Sequence, residues 1–180
     1  MILNLLLALA GMVIIFVIVV AARPAEYRII RTASITAPPA VVFGLVNDFR
    51  KWEAWSPWEG LDPALKRIYE GASAGTGAIY SWAGDNKVGE GRMTITESRP
   101  SDLIRIKLEF LKPFKATNPT EFTFKSEHNH TVVSWTMTGR NNFLFKAAHL
   151  LMNMEKMLGN QFDQGLAQMK ALAEAKPQQS

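Results

Sequence analysis

The sequence predicts an α+β domain, a curved and mostly antiparallel sheet around one long C-terminal helix, preceded by a single membrane-spanning helix. Three observations carry this. An unbroken apolar run fills residues 2–22, with Asn4 its only polar side chain. Short segments of alternating apolar and polar residues follow from 27 to 138, the period of half-buried strands. From 143 to 175 the period lengthens, with apolar residues at 147, 150, 151, 154, 158, 162, 166, 169 and 172, spaced as on one helical face.

As a helix, residues 2–22 rise about 1.5 Å each and span roughly 32 Å. A hydrocarbon core is about 30 Å thick, and a helix satisfies its own backbone groups there. A cleavable signal is the competing reading, since Val20-Ala21-Ala22 offers small residues at its end. Such signals carry a basic leader and an apolar stretch of about 7–15 residues; this run is longer and has no Lys or Arg before it. A buried core helix would show a polar face, and none is visible. Arg23, Arg28 and Arg31 follow the run. By the positive-inside rule they place the domain in the cytoplasm, on a single-pass inner-membrane protein.

Residues 1–22 are thus the anchor, 23–26 a short joint, 27–175 one domain, and 176–180 a polar tail. The net charge is +4, with both signs mixed along the chain. A nucleic-acid-binding surface would cluster its basic residues, so no nucleic-acid partner is expected. Mild attraction to anionic headgroups and an ordinary solvated surface both fit. The chain has no cysteine, which excludes disulfides, thiolate metal sites and Cys nucleophiles.

The elements follow in order. Residues 27–36 alternate, with Tyr27, Ile29, Arg31, Ala33 and Ile35 on one side. Pro38-Pro39 ends this strand and suits the first turn of a helix, continued by Val41, Val42, Leu45 and Val46. Residues 49–58 read as a short helical or looped passage stopped by Pro57. Strands are expected at 65–70, 78–82, 91–97, 103–111, 121–125 and 131–138, with turns at Gly84-Asp85-Asn86, Pro100-Ser101-Asp102 and His128-Asn129. In the last helix, Gly159 and Gly165 mark a bend or a close approach to the sheet. One strand, one or two short helices, about six strands and a long helix make the helix-grip layout, which encloses space between sheet and helix.

Asn47-Asp48-Phe49, followed by Trp52-Glu53-Ala54-Trp55-Ser56-Pro57-Trp58, carries a family resemblance. Supporting stretches are Gly75-Thr76-Gly77-Ala78, Phe110-Leu111-Lys112-Pro113-Phe114, residues 133–139 and residues 165–170. In this order they resemble the polyketide cyclase/dehydrase group of the START-like (SRPBCC, Bet v 1-like) superfamily over about residues 27–175. The resemblance implies a helix-grip fold with a deep apolar cavity; it does not imply cyclase activity.

Candidate site residues are few. Trp52, Trp55 and Trp58 lie three apart, which sets them on one side of a helical turn. They read either as core packing that closes one end of the cavity or as the lining of a ligand entrance. Met152, Met154, Met157 and Met169 are core filler or adaptable cavity lining, with Met154 and Leu158 on the apolar face. The candidate ligand-binding set is Trp55, Trp58, Tyr80, Arg92, Trp135, Met154 and Leu158. The weak catalytic candidates are His149, Glu90 and Tyr80 as acid–base groups. Glu90 and Arg92 share a strand face, as a surface pair or, if that face turns inward, as ligand-orienting groups. His128 and His130 lack further ligands for a metal, and Gly75-Thr76-Gly77 leads into a strand, so it fails as a phosphate loop. No cofactor or metal is expected. The leading expectation is a membrane-anchored binding module for a hydrophobic small molecule or lipid. Its rivals are an accessory subunit of a membrane-protein complex, with Asn4 bonding a neighbouring helix, and an enzyme acting on an apolar substrate.

Overall fold

The computed structural model describes residues 1–143, 145–147 and 154–175. An apolar helix, α1 (Ile2–Ala22), leads into β1 (Glu26–Ile35) through a three-residue joint. Helix α2 (Pro39–Val46) and a 3₁₀ turn (Phe49–Ala54) follow. Strands β2 (Lys66–Gly71), β3 (Ala78–Ala83), β4 (Glu90–Arg99), β5 (Leu103–Lys112), β6 (Ala116–Glu127) and β7 (His130–Arg140) come next, then helix α3 (Met154–Glu174). The seven strands form one sheet in the order β1-β7-β6-β5-β4-β3-β2. Every pairing is antiparallel.

The alternation sets the faces. Ile29 and Ile35 of β1, Ile104 and Ile106 of β5, Phe122 and Phe124 of β6, and Val133 and Trp135 of β7 all turn inward and are buried. Against them packs the C-terminal part of α3, through Phe162, Leu166 and Met169. Leu172, expected on the same face, is exposed, and Ala173 takes its place against the core. The buried positions therefore step by four, three and four, the helical repeat.

Polar contacts fix α3 along β1. The Arg31 guanidinium lies over Gly159 and donates to Asp163 at 3.1 Å. Lys170 donates to the Ser34 carbonyl, and Glu174 accepts the Thr36 N–H at 2.6 Å. That N–H holds the Glu174 carboxyl below its ordinary range. A side-chain β-carbon at Gly165 would meet Pro57 and Trp135 at 3.1 Å. Both glycines thus mark close approach.

Strand β6 starts at Ala116, earlier than the alternation indicates, because Asn118 and Pro119 read as strand breakers. Pro119 sits with its side chain on the exposed face, opposite Lys107, and its carbonyl accepts from the Thr138 hydroxyl. A proline in a sheet is tolerated where no ladder N–H is required of it.

Helix α1 buries one residue, Val20. A helix within a soluble core would be mostly covered, so that reading is removed. Its length and composition suit a membrane anchor or a signal sequence. Its C-terminal end touches the domain, where Lys146 donates to the Ala21 carbonyl at 3.4 Å and Asn141 N–H to the Ala25 carbonyl at 2.7 Å.

Candidate functional site

The interior has two unlike parts. Midway along the strands, beyond the end that meets α1, it is filled by rings. A 3₁₀ helix has about three residues per turn, which eclipses positions i and i+3. Residues 49, 52 and 55 therefore stack up: Phe49 and Trp52 lie 5.4 Å apart, Trp52 and Trp55 4.5 Å. The Trp52 and Trp55 indole N–H groups donate to the Val46 and Leu45 carbonyls, each at 3.0 Å. Trp55 is wholly buried and acts as a pillar between α2 and the sheet.

Trp135 is the hub of this packing. It lies nearly parallel to Phe162 at 4.0 Å and stacks on Phe122 at 4.8 Å. Trp52, Trp55 and Trp58 meet it edge-on. Its indole N–H has no hydrogen-bond partner among the described residues. Trp58 is half-buried and donates to Gln161 on α3 at 2.8 Å, which closes the 3₁₀ segment onto the helix.

A polar cluster flanks the rings. The Tyr80 hydroxyl donates to Glu59 Oε1 at 2.7 Å, and Arg67 Nε donates to Glu59 Oε2 at 2.6 Å. The Tyr69 hydroxyl donates to Glu53 at 2.9 Å, and its ring stacks on Tyr80 and lies beneath Arg50. Burial first, and then the neighbouring carboxylate, pushes both phenols well above the ordinary tyrosine range. The hydrogen bond to Glu59 raises Arg67 further. Both Glu59 oxygens and the Tyr80 proton are thus committed to each other, and the cluster ties the 55–65 loop to β2 and β3.

Toward α1 the interior is less closely covered. On β5, Ile104 and Ile106 are buried, whereas Leu108 and Phe110 are half-buried. On β3, Ala78 and Tyr80 are buried and Trp82 is half-buried. Tyr27 and Leu158 are half-buried at the same end. Trp82 lies flat against Gly91, where any β-carbon would strike its ring, and donates to the Val88 carbonyl. Gly139 likewise leaves room for Tyr27 and Asn118, which bond each other across it. Burial, the larger effect, raises the Tyr27 phenol, and the Asn118 bond lowers it in part. The apolar inner-face positions nearest α1 are therefore incompletely covered, with the polar groups of Tyr27 and Asn118 beside them. A separate open groove of about 900 Å³ lies outside them at the same end, bordered by Asp62, Lys66, Asp85, Glu90 and Lys112.

The predicted residues divide accordingly. Trp55, Trp58, Tyr80, Trp135 and Leu158 face the interior, the first and fourth as sealed packing. Arg92 and Glu90 do share a face, but it is the outer one, because Gly91 between them and Met93 after them are the buried positions. Arg92 is exposed, and Glu90 pairs with Lys112 at 2.7 Å. Neither reaches the interior, which corrects their candidacy as ligand or acid–base groups. His149, Met152 and the tail 176–180 lie outside the described residues, as does the Met154 side chain. The sequence reading passed over Glu59, Arg67, Trp82, Leu108 and Asn118. For Trp82 and Leu108 the signal was present, since each shares its strand's inward parity with Tyr80 and Ile106. For Glu59 there was none, because a loop carboxylate has no period.

Comparison with known proteins bears directly on this arrangement. Residues 28–174 match the family model described as polyketide cyclase / dehydrase and lipid transport. The chain belongs to this family. No curated protein matches it. Among solved structures, protein CV1439 from Chromobacterium violaceum is 18% identical, with a TM-score of 0.59, covering 86% of this chain and all of that one. The Aha1 dimer from Colwellia psychrerythraea is 13% identical, with a TM-score of 0.60 over 82% of this chain and 96% of that one. The di-domain ARO/CYC BexL is 17% identical, with a TM-score of 0.63, over 88% of this chain and 53% of its own length. At these identities the likeness is one of fold, the Bet v 1-like helix grip.

Proposed function

We propose that this family member is a membrane-anchored binding module for a hydrophobic small molecule or lipid, held inside the grip at the end nearest α1. The carrying observation is the gradient along the strands from the buried Ile104 and Ile106 to the half-buried Leu108 and Phe110. Apolar inner-face positions that stay incompletely covered are where a ligand gains by burial, at about 0.8 kcal/mol per CH₂. Tyr27 and Asn118 supply the few polar groups that orient it. The family description, which includes lipid transport, agrees with this reading. So does a joint of three residues, which reaches roughly 10 Å fully extended and keeps the domain against the bilayer.

The enzymatic alternative rests on Tyr80 and on the fold likeness to an ARO/CYC protein. A phenol held protonated and committed to Glu59 is a poor base, so binding is preferred. The reading is tested with a photoactivatable fatty acid and the full chain in lipid nanodiscs. Adducts on Trp82, Leu108 or Leu158 are expected. Adducts confined to α1 and to outward residues such as Ile68 would overturn it. Substrate turnover lost in Tyr80→Phe would favour the enzyme instead.

A further inference from the structure

We infer that the β5–β6 turn, together with Phe143, is a second membrane contact, seated in the headgroup region of the anionic bilayer that holds α1. The inference rests on the proposed membrane anchoring of α1 and adds a surface to it.

The topology brings the parts together. Antiparallel pairing puts Glu26 beside Arg140, so the start of β1 and the end of β7 lie at one end of the sheet. The β5–β6 turn is at that end too, where the Phe114 and Phe145 rings meet at 5.7 Å. The same end receives α1, through Lys146 at Ala21, Asn141 at Ala25 and the burial of Val20. A helix that crosses a bilayer therefore delivers this end of the domain, and not the His128 end, to the membrane surface.

The side chains there suit a headgroup layer. Leu111, Phe114 and Phe143 are 44%, 56% and 49% exposed. Three large apolar residues grouped at one end are costly in water and stabilising at a lipid interface. Exposed Arg23, Lys115 and Arg140 surround them. Basic residues next to a membrane-spanning helix are drawn to anionic lipid. Of the acidic groups at this end, Glu90 is paired with Lys112 and Glu26 stands opposite Arg140, which leaves Arg23 and Lys115 to carry the attraction. The partly covered interior, at Trp82, Leu108 and Phe110, opens at this end, so docking would set the ligand entrance against the lipid.

The chain has no cysteine, so single labels can be placed freely. Nitroxides are attached in the full chain at Phe114→Cys, Phe143→Cys, Val13→Cys and Ser101→Cys, in nanodiscs of phosphatidylcholine with phosphatidylglycerol. Collision with oxygen, which favours lipid, is compared with collision with a nickel chelate, which favours water. The expected result is an oxygen-to-nickel ratio at 114 and 143 severalfold above that at 101, and a higher one at 13. A lipid-like label at 13 with 114 and 143 as aqueous as 101 overturns the inference alone. An aqueous label at 13 overturns the anchor and the inference with it. Shielding of 114 and 143 from both reagents would assign the surface to a protein partner and overturn lipid docking.

Discussion

At the scale of single residues, Trp135 shows how this interior is held together. Its ring contributes packing from every side, while its N–H is left without a partner among the described residues. Removing the ring forfeits contacts and leaves a void, at about 3–5 kcal/mol. Replacing it by phenylalanine keeps the stack on Phe162 and deletes the unpaired donor, whose burial costs about 1–3 kcal/mol. Trp135→Ala is therefore expected to lower unfolding stability by several times more than Trp135→Phe, as measured by urea titration.

The tyrosines give a second test at this scale. The chain has three, and Tyr27, Tyr69 and Tyr80 all have phenols raised above the ordinary value of 10.0. The folded state then binds more protons than the unfolded state above pH 10, so stability is full below that pH and falls as pH rises beyond it. Phenolate absorbance near 295 nm should appear together with loss of tertiary circular dichroism, not before it. Three phenols ionising independently near pH 10 in the intact fold would contradict the assigned environments.

At the scale of elements, periodicity made most of the fold legible. The parity of Ile29 to Ile35 on β1, and of Val133 to Met137 on β7, identifies their inward faces because an antiparallel strand alternates with period two. The three-residue spacing of Trp52, Trp55 and Trp58 marked a turn, and the 3₁₀ geometry explains why the Phe49, Trp52 and Trp55 rings meet in series. What was not legible has a physical cause. The direction in which the Glu90–Arg92 face turns depends on which side α3 covers, and two charged residues on alternate positions fit either. Asn118 and Pro119 hid the first part of β6 because local preference opposes a strand there and pairing with β5 overrides it.

The 55–65 loop makes an element-level prediction. Glu59 is almost completely covered and joins Tyr80 to Arg67. Charge-assisted hydrogen bonds of this kind contribute about 1.5–3 kcal/mol, and their loss strands the partners. Glu59→Ala should lower stability by about 2 kcal/mol, and Glu59→Gln, which can still accept a hydrogen bond, by less. Hydrogen exchange localised to β2 and this loop would check that the effect arises there. Equal stability of both variants and the parent would show that the cluster does not hold the loop.

At the scale of the whole molecule, the order of elements and the tryptophan motif made the family and the helix grip readable, since both depend on patterns repeated along the chain. The candidate interior was only partly readable. Its apolar members follow strand parity, but how far each is covered depends on where α3, the 3₁₀ turn and the sheet close on one another. That closure is tight around Trp55 and Trp135 and looser around Leu108 and Trp82. The difference between the two parts, and the arrival of α1 at the looser one, underlie the proposed function.

The most direct measurement is native mass spectrometry of the full chain released from the membrane in which it was made, beside Leu108→Trp and Leu111→Trp. Leu108 faces the proposed ligand space and Leu111 faces out, so only the first substitution fills that space. The expected result is an apolar adduct on the parent and on Leu111→Trp, strongly reduced on Leu108→Trp. A parent that emerges without any adduct, or an adduct equally retained by Leu108→Trp, would contradict the account.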